Sequence, residues 1–147
     1  MKEFRIFRIE SSPEILSILT GFANDLFDQA HNEGVFLSQL SEKYSLNADF
    51  YVLEIDGNAA GIIAFYANDT VAKTGFISMI VVHSSFQGFG IGSILMDLAI
   101  SVCKLRGMTK LRLEVNVNNK KAMRLYERNG FFIIQNKGQS AILSKDI

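Results

Sequence analysis

Residues 75–93 read GFISMIVVHSSFQGFGIGS and join a strand pattern to the start of a helix pattern. The first part, residues 75–82, is an apolar and largely β-branched run that is typical of a central β-strand. From Ile91 onwards, apolar residues recur at helical spacing, at positions 91, 94, 95, 98, 99, 102 and 103. This spacing predicts an amphipathic helix that ends at Gly107. A central strand therefore leads through a glycine-rich loop directly into a helix.

The loop carries glycine at every second position, in Gly88, Gly90 and Gly92. Glycine lets the backbone turn tightly and approach a ligand closely, and the free N–H groups of a first helical turn favour a phosphate. A third glycine inside the helix costs about 1 kcal/mol relative to alanine, which a plain strand–helix turn would not require. The loop therefore predicts a phosphate site, with a structural turn as the alternative.

The loop differs from two common phosphate-binding motifs, the P-loop and the dinucleotide pattern. A P-loop needs a Gly-Lys-Ser/Thr ending, which is missing here. In the dinucleotide pattern Gly-x-Gly-x-x-Gly the third glycine stands one residue later than Gly92 does. Glu114, about twenty residues on, leaves a dinucleotide site open by spacing, but such a site belongs to a sheet of repeated βαβ units.

The rest of the chain predicts strands that meander before a single crossover. Apolar alternation indicates further strands at residues 4–9, 50–55, 60–66, 111–115, 131–135 and 140–144. Helical spacing and capping signals indicate helices at residues 12–30, 37–44 and 120–129, with a turn at residues 31–34. The order β-α-α-β-β-β-α-β-α-β-β predicts one α/β domain over residues 1–147, with a mixed, mostly antiparallel sheet flanked by helices.

Composition excludes several classes of function. Fifteen Lys and Arg balance fifteen Asp and Glu, so the chain lacks the positive field that nucleic-acid binding uses. A single cysteine, Cys103, and two histidines without ligand spacing predict no metal site. Neither a signal peptide nor a run of 18 apolar residues is present, so we expect no membrane span and a cytoplasmic location.

A second motif lies about 27 residues after the first. Residues 119–131, NKKAMRLYERNGF, fit the pattern Asn-x-x-Ala-x-x-Leu-Tyr-Glu-x-x-Gly-Phe, and residues 87–92 fit Arg/Gln-x-x-Gly-x-Gly/Ala. With both motifs in this order, the chain resembles the GNAT superfamily of acetyl-CoA-dependent N-acetyltransferases. The resemblance extends from about Phe4 to Leu143 and is weakest over residues 11–50. Ser84 stands where the family usually has a proline.

The resemblance implies where acetyl-CoA, the acetyl donor, would bind. The main chain at Ile80 and Val82 would pair with the pantetheine arm, and the strand of residues 111–115 would splay away to open a cleft. Asn119 would contact the pantetheine. The pyrophosphate would lie on the backbone amides of the glycine loop, which are those of Gln87, Gly88, Phe89, Gly90, Ile91, Gly92 and Ser93.

The resemblance also implies the chemistry, which is direct attack of a primary amine on the thioester in a ternary complex. Tyr126 would protonate the leaving sulfur, and Glu114 would be the general base. From helical spacing alone Tyr126 could instead be a core residue, and Glu114 could pair with Arg112 or Arg124 while a water relay removes the proton. Asp28, His31 and Glu33 would lie on the acceptor side.

Two questions stay open at the level of sequence. The amine acceptor, small molecule or peptide, is not defined, and exposed strand edges leave a homodimer open. The alternative to an enzyme is a catalytically silent module that binds acyl-CoA or docks a partner. Turnover of any amine would distinguish the two.

Overall fold

The computed structural model describes residues 2–26 and 33–147, and for residues 33–35 it describes the backbone alone. Its strands are β1 Phe4–Arg8, β2 Asp49–Ile55, β3 Asn58–Tyr66, β4 Thr74–Val82, β5 Lys110–Asn116, β6 Phe132–Asn136 and β7 Ser140–Asp146. Its helices are α1 Ser12–Gly21, α2 Ala23–Leu26, α3 Glu33–Asn47, α4 Ile91–Leu105 and α5 Lys120–Arg128, with a 3-10 turn at Ser84–Phe86.

All seven strands form one sheet in the order β1-β2-β3-β4-β5-β7-β6. Neighbouring strands are antiparallel except β4 and β5, which are parallel and are joined by the α4 crossover. On one face of the sheet, the core contains Leu95 and Ala99 of α4 together with Leu113 of β5. On the other face, the core contains Leu19 of α1 and Tyr44 of α3. The predicted mixed α/β fold flanked by helices is confirmed.

The first helical region differs from its prediction. The helix expected over residues 12–30 ends as α1 at Gly21, where the N–H of Phe22 donates to the Leu19 carbonyl at 3.0 Å, and α2 follows from Ala23. Apolar spacing continues across this break because Phe22 is itself a core residue, 1% exposed, so periodicity does not reveal it. Residues 27–30 of the expected helix lie outside the described part of the chain.

The next helix begins earlier and is longer than expected. α3 covers 15 residues from Glu33 to Asn47, where a turn at 31–34 and a shorter helix at 37–44 were expected. The turn prediction rested on the polar and glycine content of residues 31–34, of which 31 and 32 are not described. Gly34 lies inside α3, so a glycine here does not end a helix that packs against α1 and β2.

Strand β4 separates from β5 part-way along its length. Their register runs from Thr74 opposite Lys110 to Ile77 opposite Leu113, and β4 then continues to Val82 without a partner on β5. On its other side, β4 pairs with β3 through a bulge, since Phe65 faces Ile77 and Ala64 faces Met79. The fold therefore opens the sheet beside the second half of β4.

A buried carboxylate at the start of β2 holds three elements together. Asp49, at the start of β2, is 1% exposed and accepts two hydrogen bonds from Arg106, which follows α4. Arg8 of β1 lies 3.3 Å from the same carboxylate. Because a buried charge is costly unless it is paired and hydrogen-bonded, these contacts fix the end of α4 against the sheet. In the described ranges no helix is long and apolar enough to span a membrane.

Candidate active site

The glycine loop leaves the N-terminus of α4 uncovered. Gly88 and Gly90 have φ values of +88° and +74°, a left-handed conformation that other residues rarely adopt. Gly90 is the N-cap of α4 and has no side chain to occupy the first free N–H groups of the helix. These amides and the positive end of the helix dipole therefore face the loop, which is the arrangement expected for a phosphate site.

The third glycine has a packing role that its motif did not reveal. A Cβ placed on Gly92 would lie 3.1 Å from Leu125 Cδ2, so the missing side chain lets α5 approach α4 closely. Asn129, just after α5, donates to Ser93 Oγ at 3.3 Å and to the Leu125 carbonyl at 2.7 Å. The two helices that carry the sequence motifs are thereby held next to each other.

A cavity of about 490 Å³ lies between β4, the glycine loop and α5. Its lining contains all of the predicted site residues except Phe89 and Glu114, namely Ile80, Val82, Gln87, Gly88, Gly90, Ile91, Gly92, Ser93, Asn119 and Tyr126. Their individual roles stay predictions. Phe89 of the loop is instead 51% exposed, with Lys2 Nζ 4.5 Å from its ring centroid.

The cavity also contains residues that sequence reasoning did not place there. Lys121 donates to the Gln87 side-chain carbonyl, and Arg128 adds a second cation to the lining. From the sequence, Lys121 could meet a coenzyme phosphate or lie on an exposed basic helix face, whereas Leu125 and Arg128, four and seven residues after it, could have been found from their helical spacing with Lys121. Asp25 of α2, whose Oδ1 accepts from the Ser84 N–H at 3.2 Å, had no sequence signal.

Asn119 organises the start of α5. Its side-chain Oδ1 accepts from the Ala122 N–H at 3.1 Å, so it is the N-cap of the helix. The cap fixes the first turn of α5, and Tyr126 lies less than two turns further on. Asn119 therefore helps to position the tyrosine as well as lining the cavity.

Tyr126 combines deep burial with a place in the cavity lining. It is 7% exposed, and its ring meets the Phe131 ring edge-on with 6.0 Å between centroids. Burial raises the pKa of Tyr126 to about 12, so the phenol stays protonated at neutral pH. Within the described residues, its hydroxyl has no hydrogen-bond partner, and it is available to donate to a group in the cavity.

Glu114 lies in a more exposed place than its position on an interior strand suggested. Its neighbours Leu113 and Val115 are buried on the α4 face, while its own side chain is on the opposite face and is exposed. Ser140 Oγ donates to Glu114 at 2.8 Å and Lys137 Nζ lies 3.2 Å away. Hydrogen bonds from Ser140 and then Lys137 lower the pKa of this carboxyl.

The structure tests the predicted pairing of Glu114, but it does not describe the side chains that were expected on the acceptor side. Glu114 is paired, but with Lys137 and not with Arg112 or Arg124 as sequence proximity suggested. Asp28 and His31 lie outside the described residues, as does the side chain of Glu33. In the described ranges, no group of three His, Cys, Asp or Glu side chains is arranged to hold a metal ion.

Comparison with known proteins agrees with this geometry. Residues 15–131 match the family model "Acetyltransferase (GNAT) family". An N-alpha-acetyltransferase, MAK3, of Arabidopsis thaliana is 42% identical over 104 residues, 63% of this chain and 55% of the relative. An uncharacterised N-acetyltransferase of Methanocaldococcus jannaschii is 36% identical over 86 residues, 56% of this chain and 38% of the relative. The chain thus spans well under two thirds of these curated relatives.

Solved structures share the same architecture. The PaiA N-acetyltransferase of Thermoplasma acidophilum, solved in complex with coenzyme A, superimposes with a TM-score of 0.79 at 18% identity and covers 99% of both chains. The chain belongs to the GNAT acetyltransferase family, and the resemblance predicted from its two motifs is confirmed.

Proposed function

We propose that this protein is an acetyl-CoA-dependent N-acetyltransferase that acts by direct attack of an amine in a ternary complex. The observation that carries the proposal is the cavity, because it joins a phosphate-type helix N-terminus to a buried, protonated Tyr126. The lining fits the coenzyme chemically. Its phosphates could bind to the backbone amides of the loop and to the cations Lys121 and Arg128. Its pantetheine arm could bind along the main chain of Ile80–Val82, whose side chains are apolar.

The residues of β4 would hold and polarise the donor. When bound, acetyl-CoA supplies an acetyl group activated as a thioester. The unpartnered edge of β4 from Ile80 to Val82 offers main-chain groups to the pantetheine, as an added strand does. A backbone N–H near Ile80 would donate to the thioester oxygen as negative charge develops on it, a contribution that strengthens in the transition state.

Tyr126 would complete the transfer at the sulfur. As the amine nitrogen forms its bond to the carbonyl carbon, the carbon–sulfur bond breaks and sulfur takes the electron pair. Tyr126 donates its proton to that sulfur and regains one from solvent, which its raised pKa favours. No cysteine is placed for an acetyl-enzyme, since Cys103 is buried in α4 and burial raises its pKa to about 11.

The acceptor that fits best is an α-amine, such as the N-terminus of a peptide. The lowered pKa of Glu114 makes its carboxylate a weak base, so the amine must reach the site already neutral. At pH 7.5, about a third of α-amines with a pKa of about 7.7–8.0 are neutral, against about one in a thousand lysine-like amines with a pKa of about 10.4. The name of the Arabidopsis relative, N-alpha-acetyltransferase, supports the same class of acceptor.

Glu114 would then act late in the reaction. After attack, the nitrogen carries a positive charge and becomes acidic, so an ionised carboxylate of low pKa can receive its proton, directly or through water. Glu114 is exposed on the side of β5 that faces away from α4, within reach of solvent. Lys137 and Ser140 keep the carboxylate ionised while it waits for that proton.

The test is thiol release from acetyl-CoA with a short peptide that has a free N-terminus, compared with the same peptide blocked at its N-terminus. We expect turnover only with the free peptide, and a lysine side chain in the blocked peptide to be a poor acceptor at pH 7.5. If acetyl-CoA binds but no amine is turned over, the protein is a silent binding module. Equal rates on both peptides would contradict the α-amine assignment.

A further inference from the structure

A polar pair lies where β4 separates from β5, and it has no part in the function proposed above. Ser78 Oγ of β4 is 2.8 Å from the hydroxyl of Tyr44 on α3. Ser78 is exposed, whereas Tyr44 is 1% exposed and belongs to the core between α3 and the sheet. The pair therefore connects a buried phenol to the surface of the opening between the strands.

The backbone places Ser78 close to the part of β4 that would hold the thioester in the proposed function. It is the first residue after the last β4–β5 pair, Ile77 with Leu113, and it is the extra residue of the bulge against β3. Ile80, which lines the cavity, is two residues further along, about 6–7 Å in an extended strand. The bond to Tyr44 sets the Ser78 hydroxyl on the α3 face, opposite the face that packs on α4.

Tyr44 determines how the Ser78 hydroxyl is oriented. Its ring packs beside Phe50 and Tyr66, with centroid distances of 6.0 and 6.5 Å. Burial raises the pKa of Tyr44 to about 12, so its hydroxyl keeps its proton and can donate to Ser78. A serine oxygen that accepts one hydrogen bond still has a second lone pair and its own O–H, and these are left for the exposed side.

We propose that Ser78 binds the acceptor amine by accepting one of its N–H groups, and that Tyr44 is a positioning residue that acts through Ser78. The inference rests on the proposed function and deepens its acceptor side. A neutral primary amine has two N–H donors and one lone pair, so holding an N–H at Ser78 limits the directions in which the lone pair can point. An uncharged hydroxyl also stabilises an ammonium less than a carboxylate does, which suits a site that needs its amine neutral.

The experiment compares four variants in thiol release with saturating acetyl-CoA and a hexapeptide with a free N-terminus. Ser78→Ala should lower kcat/KM for the peptide about five- to tenfold, the value of one neutral hydrogen bond. Ser78→Thr, which keeps the hydroxyl, should stay within about twofold of the wild type. Tyr44→Phe should lower kcat/KM less than Ser78→Ala does. The double variant, Tyr44→Phe with Ser78→Ala, should have the same kcat/KM as Ser78→Ala alone.

Tyr66→Phe is the matched control, because its hydroxyl is buried and has no hydrogen-bond partner in the described residues. It should leave kcat/KM for the peptide unchanged. The Kd for acetyl-CoA, measured by titration, should stay within about twofold in all variants, which a general disturbance of β4 would not allow. If Ser78→Ala does not fold, Tyr44→Phe and Ser78→Thr still test the pair.

Three results would overturn the inference. Unchanged kcat/KM in Ser78→Ala would show that the hydroxyl does not contact the amine. Losses that multiply in the double variant would show that Tyr44 does not act through Ser78. A weaker acetyl-CoA affinity equal to the loss in kcat/KM would assign the pair a structural role. A wild-type protein that turns over no peptide refutes the proposed function itself, a result that is distinct because no variant is involved.

Discussion

Removing the hydroxyl of Tyr126 should separate chemistry from binding. In Tyr126→Phe the ring keeps its edge-on contact with Phe131. No protein hydrogen bond is lost within the described residues, so the free energy of unfolding should change by less than about 1 kcal/mol. General acids contribute about 10²–10⁴-fold, and a thiolate leaves readily, so we expect kcat to fall by about 100-fold, at the lower end of that range.

The assay is thiol release under saturating acetyl-CoA and peptide, from pH 6 to pH 10. Because burial raises the pKa of Tyr126, the wild-type enzyme should keep its acid form, and kcat should not decline across this range. Tyr51→Phe is the control, since its ring stacks on Phe65 at 6.1 Å, outside the described cavity lining. A Tyr126→Phe enzyme with wild-type kcat, or with acetyl-CoA affinity reduced in parallel with kcat, would refute the acid role.

Three further predictions concern other parts of the molecule. In Gly61→Ala, the added methyl would lie 2.7 Å from Ile91 Cγ2, so overpacking should cost about 1–3 kcal/mol in urea unfolding and weaken acetyl-CoA binding by moving the start of α4. A Gly61→Ala protein with wild-type stability would contradict this close approach. Glu114→Gln should lower kcat without shifting the pH at which the rate rises. The lowered pKa of Glu114 keeps its carboxylate ionised over the whole assayed range, so this group does not titrate there. If the rise of rate with pH shifts in this variant, Glu114 itself titrates in the assayed range. Arg106→Met should destabilise the fold by about 1.5–3 kcal/mol through the lost bonds to Asp49, with kcat unchanged, and no change in the unfolding midpoint would show that Arg8 alone satisfies the carboxylate.

The parts of the fold that local sequence determines were predictable. The strand β4 follows from its apolar, largely β-branched run, the glycine loop from glycine at every second position, and α4 from helical spacing, all within about thirty consecutive residues. Helix α5 was expected over residues 120–129 with Tyr126 inside it, whereas the N-cap role of Asn119 was not expected. Most of the cavity lining was expected from the resemblance to the GNAT family, which implied these positions residue by residue.

What could not be predicted depends on contacts between distant residues. The break of the first helix is not visible in the sequence, because the buried Phe22 continues the apolar spacing across it. The environment of Glu114 depends on the β5–β7 register, which brings Ser140 alongside β5, and on Lys137 before it. The bulge at Ser78 depends on the pairing of β3 with β4, and no residue type in that strand indicates it.

Acetyl-CoA binding at the glycine loop is the central claim, and a thermal-shift titration with acetyl-CoA, CoA and NADH in parallel tests it most directly. A ligand at 100 times its Kd adds about 2.7 kcal/mol to the stability of the folded state, a shift that is easily measured for a chain of 147 residues. We expect acetyl-CoA and CoA to raise the unfolding temperature and NADH to leave it unchanged. No response to either form of the coenzyme, or stabilisation by NADH, would contradict the assignment of this loop and of the acetyl transfer that depends on it.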